Sequence, residues 1–304
     1  MPTQLLYAIT VLIWGSSWFA ITLQLDVVHP IWSVAYRFFL AAIVLLCFSL
    51  ATRQRLRFGW RDHAFVALQG LLLFSLNYIL FYFTIEHLTS GVVAVTFSTI
   101  VFMNIINGAL LFRTPVSGRV LAGAGLGLAG IALVFWPELT RVQLTGTTLQ
   151  SLGLAVLATW VASLGNMAAL RNQRRGLPIV QTNTLGMGYG AALAAVAALA
   201  LGAELRFDWS VGYVASLVYL AVFASVIAFG CYLSLLGRIG ADRAAYASVL
   251  FPIVALGLST LFEGYQWSTI ALVGVITVIS GNLLVLTGAP HRSATAKSRT
   301  EDPT

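Results

Sequence analysis

Charge is what this sequence has least of. Only 9% of its 304 residues are Asp, Glu, Lys or Arg, against about 25% in an ordinary soluble domain. None of the 10 acidic residues lies deep in a long apolar run, so the usual buried-carboxylate proton relay is not evident and the coupling stays open. Cysteine is nearly absent. Cys47 and Cys231 both fall inside apolar runs without metal-type spacing, which excludes a disulfide framework and leaves two free thiols in packing positions. The 4 histidines are equally sparse: His29, His63 and His87 sit at expected helix ends and His291 in the tail. No metal centre, cofactor site or catalytic cluster can be assembled from them, and a membrane-embedded enzyme, which needs such a cluster at one face, finds none.

What is present is apolar: 59% of the chain is hydrophobic. About 20 such residues cross a bilayer core of roughly 30 Å, so the charge-free runs predict an all-α membrane protein of ten transmembrane helices. They cover 4–23, 32–51, 64–84, 90–112, 120–136, 147–169, 179–201, 211–236, 244–262 and 268–287. The first lacks the charged start, short apolar stretch and cleavage site of a signal peptide and counts as a span. Residues 289–304, polar and free of aromatics, are expected to form a disordered tail.

A net charge of +7 suggests nucleic acid until the charges are placed. Of the 17 basic residues, only Arg37, Arg141 and Arg206 lie away from the even-numbered connections and the tail. Asp26, Glu86, Glu138, Glu204, Asp208 and Glu263 occupy the other connections. The positive-inside rule then puts both termini in the cytoplasm. The partner of this surface is a lipid bilayer and no nucleic acid is implied.

The stretch from Leu111 to Val134 occurs twice. Leu111, Phe112, Ser117, Gly123, Gly130, Leu133 and Val134 are answered by Leu261, Phe262, Ser268, Gly274, Gly281, Leu284 and Val285. Trp14 with Trp160, Pro30 with Pro178, Trp60 with Trp209 and Tyr82 with Tyr232 extend the match. The Gly123, Gly125, Gly127, Gly130 run lacks the preceding strand and following Lys of a phosphate loop, so it reads as a helix-packing face. Copying five helices inserts the second set upside down. Residues 1–141 and 142–288 are thus expected to be two inverted five-helix repeats, and the matched loops carry opposite charge, as the Arg53 to Arg61 loop does against Glu204 to Asp208. Such repeats mark alternating-access transporters with a midplane site.

Trp14-Gly15-Ser16-Ser17-Trp18, Arg37 early in the second span and Leu88-Thr89-Ser90-Gly91 opening the fourth resemble the drug/metabolite transporter superfamily, within it the EamA-type exporters. Within that group the chain is similar to bacterial aromatic amino acid exporters. The resemblance implies export of amino acids from the inner membrane. The chain departs from it at Arg113 and Val101, where the family often has Glu and Pro; Glu263 and Pro252 keep that pattern in the second half.

A cavity for amino acids needs aromatic walls and a few polar groups. Asn77, Tyr78, Phe81 and Tyr82 offer them on the third span, where Tyr78 and Tyr82 share a side at i, i+4; an interfacial aromatic belt is the competing reading for the tyrosines. Trp14 and Trp160 lie too deep for that belt, with Ser17 and Ser163 beside them as lining or as packing residues and Trp18 one turn above Trp14 on the same face. Tyr82 and Tyr232 are candidate outer and inner gates, with Pro252 freeing a backbone carbonyl. Tyr246 and Ser248 form a weaker set on the ninth span. Arg37 is the one basic residue within a span: it either attracts a carboxylate or snorkels to the surface. The substrate class is small molecules, amino acids first and amphipathic drugs or another metabolite as the alternative, handled by a monomer. Sugar phosphates would call for more Lys or Arg in the bundle.

Overall fold

The structure is a computed structural model that describes residues 1–113, 118–141, 146–232, 235 and 247–287. Among these residues the chain forms ten helical segments: α1 Thr3–Thr22, α2 Pro30–Ala51, α3 Trp60–Ile85, α4 Ser90–Phe112, α5 Gly118–Arg141, α6 Gly146–Arg174, α7 Ile179–Ala200, α8 Val211–Tyr232, α9 Ala247–Phe262 and α10 Thr269–Thr287. Seven are long and apolar enough to cross a membrane; α5, α9 and α10 carry the shorter apolar stretches Leu121–Val134, Leu250–Phe262 and Thr269–Leu284. Large apolar side chains such as Leu12, Phe39, Leu110, Leu128, Val196 and Ile276 face outward around the bundle. A soluble protein would aggregate through such a surface; a bilayer covers it. The chain is a multi-pass membrane protein.

Helix α6 runs 29 residues, about 44 Å at 1.5 Å per residue, and continues beyond the expected 147–169 through Arg171 and Arg174. Charge ends an apolar run but not a helix, since Arg is a good helix former. Two helices change pitch internally: α3 is π-helical over Leu72–Leu76 and α8 over Tyr219–Ile227. Helix α4 breaks at Ser98 and Thr99 between Ser90–Phe97 and Ile100–Phe112. There the hydroxyls of Ser98 and Thr99 donate to the carbonyls of Val95 and Thr96, both at 2.7 Å, a back-bonding that loosens a helix without proline. Helix α9 carries Pro252 instead, which removes one intrahelical bond.

Helices α2 and α7 pack together on one flank and α5 and α10 on the other, with α1, α3, α4, α6, α8 and α9 between. The pairs α1·α9, α1·α8 and α2·α8 have the counterparts α6·α4, α6·α3 and α7·α3. At the α5·α10 crossing, a Cβ on Gly130 would stand 2.8 Å from the Gly274 carbonyl oxygen, one on Gly274 2.8 Å from that of Gly130, and one on Gly281 2.6 Å from that of Gly123. Only glycine lets two backbones approach this closely. Gly123 meets Gly281 and Gly130 meets Gly274, so the helices run antiparallel. The glycine run is a packing face, as its sequence context implied.

Helix ends repeat the same spacing. Among the described residues, positive φ occurs at Asp26 (87°), Arg53 (54°), Arg113 (54°), Gly176 (76°), Gly202 (69°) and Gly264 (70°). The first three precede the last three by 150, 149 and 151 positions. Each follows the end of a helix: α1, α2 and α4, then α6, α7 and α9. Behind Gly176 and Gly202 the chain closes with Leu177 N–H to Asn172 O and Ala203 N–H to Ala198 O, the six-to-one bond of a Schellman cap, and behind Gly264 with the one-residue-wider bond of Tyr265 N–H to Ser259 O. Trp60 and Trp209 open α3 and α8, 84% and 83% exposed.

Candidate functional site

The connections with Asp26, Glu86, Glu204 and Glu263 gather at one end of the bundle. A cavity of about 530 Å³ lined by Asp26, His29, Glu86, His87, Glu204 and Arg206 opens there, and Glu263 accepts from the Ser90 hydroxyl (2.6 Å) and backbone N–H at the start of α4. Partial burial raises the Glu86 carboxyl pKa. Asp208 is held down by the Ser210 hydroxyl and N–H. Below this vestibule, α2 is fastened to the α7–α8 connection. The Trp32 indole donates to Ala203 O (3.1 Å), the Tyr36 hydroxyl to Arg206 O (3.0 Å), and Ser33 pairs with the Tyr213 hydroxyl (3.0 Å).

Arg37 lies beneath this seal and does not snorkel: it is 2% exposed. Its Nε donates to Ser225 Oγ at 3.3 Å, and its guanidinium carbon stands 4.5 Å from the Tyr78 ring centroid and 5.1 Å from that of Phe38. One turn beyond Tyr78 on α3, the hydroxyl of Tyr82 donates to Gln24 Oε1 at 2.6 Å. Three buried polar atoms here have no hydrogen-bond partner: Arg37 Nη1, Gln24 Nε2 and Asn77 Oδ1. Ser225 belongs to the π stretch of α8, and the neighbouring carbonyl of Ala224 accepts the Trp14 indole N–H at 3.2 Å. Asn77 and Tyr78 follow the π stretch of α3. The widened turns of both helices face the same interior, and π segments are frequent at functional sites.

Aromatic rings fill the space between. Trp18 touches Phe81 and Phe97 with centroids 5.1 and 5.3 Å apart, and Phe97 reaches Phe251 on α9 at 5.9 Å. Trp14 lies against Phe229 and Tyr232, at 5.3 and 5.1 Å. Tyr232 and Cys231 join Leu6 and Tyr7 near the start of α1, so Tyr232 and Tyr82 stand toward opposite ends of the bundle.

Of the residues expected at a site, Trp14, Trp18, Arg37, Asn77, Tyr78, Phe81 and Tyr82 come together, and Pro252 is buried beside Phe251. Ser17 and Ser163 are also buried, but their hydroxyls are engaged: Ser17 donates to Trp14 O (2.8 Å) and Ser163 accepts from Asn107 Nδ2 (2.8 Å). Trp160 is 41% exposed, whereas Trp14 is half-buried against Phe229 and Tyr232. Tyr246, the Ser248 side chain and the tail lie outside the described residues. Sequence reasoning passed over Gln24, Phe97, Phe251 and Ser225, which match no motif. It also passed over the polar chain at the opposite end, where Asp62 pairs with Arg171 (3.0 Å) and Gln69 joins Asn172 to Asn183 (both 3.0 Å). An Asp two residues into a helix beside a loop rich in Arg was the available signal.

A polytopic helical protein with an enclosed polar and aromatic interior, sealed by side-chain bonds to a connecting loop, belongs to the class of small-molecule membrane transporters. The chain is a member of the EamA-like transporter family, whose model matches residues 1–136 and again 146–287. It is 22% identical over 290 residues to protein PagO of Salmonella typhimurium, covering 93% of this chain and 92% of that one. It is 25% identical over 280 residues to the uncharacterized inner membrane transporter YedA of Escherichia coli K12, covering 91% and 88%. It is 23% identical over 297 residues to a probable amino-acid metabolite efflux pump of the same organism, covering 94% and 95%. A solved crystal structure matches with a TM-score of 0.66 at 17% identity, covering 93% of this chain and 95% of that one.

Proposed function

We propose that the protein exports amino acids, aromatic and other neutral ones, from the cytoplasm across a bacterial inner membrane by alternating access. The observation that carries this reading is the buried guanidinium of Arg37, held against an aromatic interior with one N–H unmatched. A permanent cation is expensive in a bilayer core and marks a functional site by default. Its neighbours suit a substrate with a carboxylate and an apolar or aromatic body. The similarity to a probable amino-acid metabolite efflux pump supports the direction and the compound class.

The reading has ten spans as two inverted repeats, 1–141 and 142–288, with both termini cytoplasmic, acting as a monomer. The paired left-handed caps, the paired π segments, the antiparallel glycine crossing and the two family matches support it. The vestibule at the acidic end is then extracytoplasmic. Tyr82 belongs to the outer closure and Tyr232 to the inner one. Trp14, Trp18, Asn77, Tyr78 and Phe81 line the path, with Ser17, Ser163, Trp160 and Tyr246 reaching it in another conformation.

Proteoliposomes test this directly. Labelled Trp, Phe, Tyr, Thr, Met, Lys and a cationic dye are offered with and without a pH gradient or membrane potential. Saturable movement of amino acids, reduced about tenfold or more by Tyr78→Ala, is the expected result, and its dependence on each gradient identifies the coupling. Movement of the dye alone transfers the assignment to export of amphipathic drugs.

A further inference from the structure

The three unmatched atoms around Tyr82 differ in kind. Gln24 Nε2 and Arg37 Nη1 are donors, and Asn77 Oδ1 is an acceptor. The Tyr82 hydroxyl donates to Gln24 Oε1 (2.6 Å), so Nε2 is the amide atom of Gln24 left without a partner. Two donors are thus open, one on Gln24 and one on Arg37. The lone acceptor belongs to Asn77, beside Tyr78, whose ring faces the Arg37 guanidinium at 4.5 Å. All three residues are at most 3% exposed, and leaving a buried polar atom without a partner is costly. The carboxylates of the chain do not neutralise Arg37: among the described residues, the ion pairs are those of Arg171 and Arg175 with Asp62 and of Arg206 with Glu204.

Resting on the amino-acid reading above, we infer that Gln24, Arg37 and Asn77 form the subsite for the head group of a zwitterionic α-amino acid. Arg37 and Gln24 take the carboxylate, and Asn77 takes the ammonium. The anion supplies the acceptor that both donors lack and the charge that Arg37 lacks; the ammonium supplies the donor that Asn77 lacks. The apolar substituent then lies among Trp18, Phe81 and Phe97. The subsite recognises what all α-amino acids share and leaves the side chain to an aromatic wall, which makes a broad range the natural outcome. The closed seal over Arg37 requires the Trp32, Ser33 and Tyr36 bonds to open before the head group enters or leaves on that side.

The test is equilibrium binding by the purified full chain in nanodiscs, with four labelled compounds that share one ring: L-phenylalanine, phenethylamine, 3-phenylpropionate and N-acetyl-L-phenylalanine. Wild-type protein is expected to prefer L-phenylalanine over each of the others by about tenfold or more, because each loses a charge-assisted bond. Arg37→Gln and Gln24→Leu should abolish the preference over phenethylamine, and Asn77→Leu the preference over 3-phenylpropionate. Arg37→Lys should keep most of it. The wild-type series alone decides the matter if a variant does not fold. L-phenylalanine binding with no preference over phenethylamine, or a preference that survives Arg37→Gln, overturns the subsite and leaves amino-acid export standing. Binding of a cationic dye with no binding of L-phenylalanine overturns both.

Discussion

Arg53 and Arg113 hold a backbone conformation in which an L-residue costs roughly 1–2 kcal/mol, at caps where the second half of the chain has glycine. Glycine relieves that strain but gives back part of it as chain entropy. Arg53→Gly and Arg113→Gly should each therefore stabilise the detergent-solubilised protein by about 0.5–1 kcal/mol, and Gly202→Ala should destabilise it by about 1 kcal/mol, read as shifts in melting temperature. Glu86 provides a pH signature. Burial raises its pKa, so its protonated form is favoured in the fold; the stability this brings is full below the unfolded pKa of about 4.3 and is lost as pH rises through the higher folded value. Glu86→Gln should raise the melting temperature at pH 7 and leave it unchanged at pH 4. Residues legible in the sequence were those that broke a local rule, such as Arg37, a cation in an apolar run, or Trp14, an indole far from the interface. Gln24 broke none: a glutamine in a connection becomes informative only once Tyr82 is seen to donate to it and its Nε2 to be buried without a partner.

The crossing of α5 and α10 is a tight element-level constraint. A Cβ on Gly274 would meet Val134 N at 2.6 Å and Gly130 O at 2.8 Å, so Gly274→Ala should cost about 1–3 kcal/mol through forced separation of the helices. Gly125, with open space where its Cβ would be, is the control, and Gly125→Ala should be neutral or slightly stabilising. Both are measured by thermal unfolding in detergent. Helix α4 breaks at Ser98 and Thr99, whereas α9 runs through Pro252 with one bond missing, and Pro252→Ala should restore that bond. Transport in proteoliposomes should fall several-fold with binding changed less than about twofold, the pattern of an impaired conformational step. Helix existence followed from apolar runs, but the interruptions did not. The π stretches of α3 and α8 contain no Pro or Gly, and the long α6 outlasts its apolar run, because hydropathy reports solvent preference while pitch and helix ends report hydrogen bonding.

At the scale of the whole molecule, two halves of opposite orientation should respond to opposite conditions. With Cys47 and Cys231 replaced by Ala, single cysteines at Tyr82 and Tyr232 are expected to change reactivity in opposite directions when substrate is added to vesicles, as judged by maleimide labelling; parallel changes count against the paired gates. The proposed duplication draws its register over about 150 positions from residues as rare as tryptophan and proline, 8 of each in the chain. Its partner caps were not legible, since an Asp or Arg at positive φ resembles any other loop residue. Those caps also bear on how the chain is made. On the proposed orientation, Arg53 and Arg113 lie on the cytoplasmic side and are synthesised before the second half emerges, when the translocation machinery is still reading positive charge to orient the helices. The strain at these two residues places that information at the turn itself. On the same orientation Gly202 and Gly264 lie on the opposite side, where the rule disfavours positive charge, so glycine takes the left-handed position there with no side chain to place.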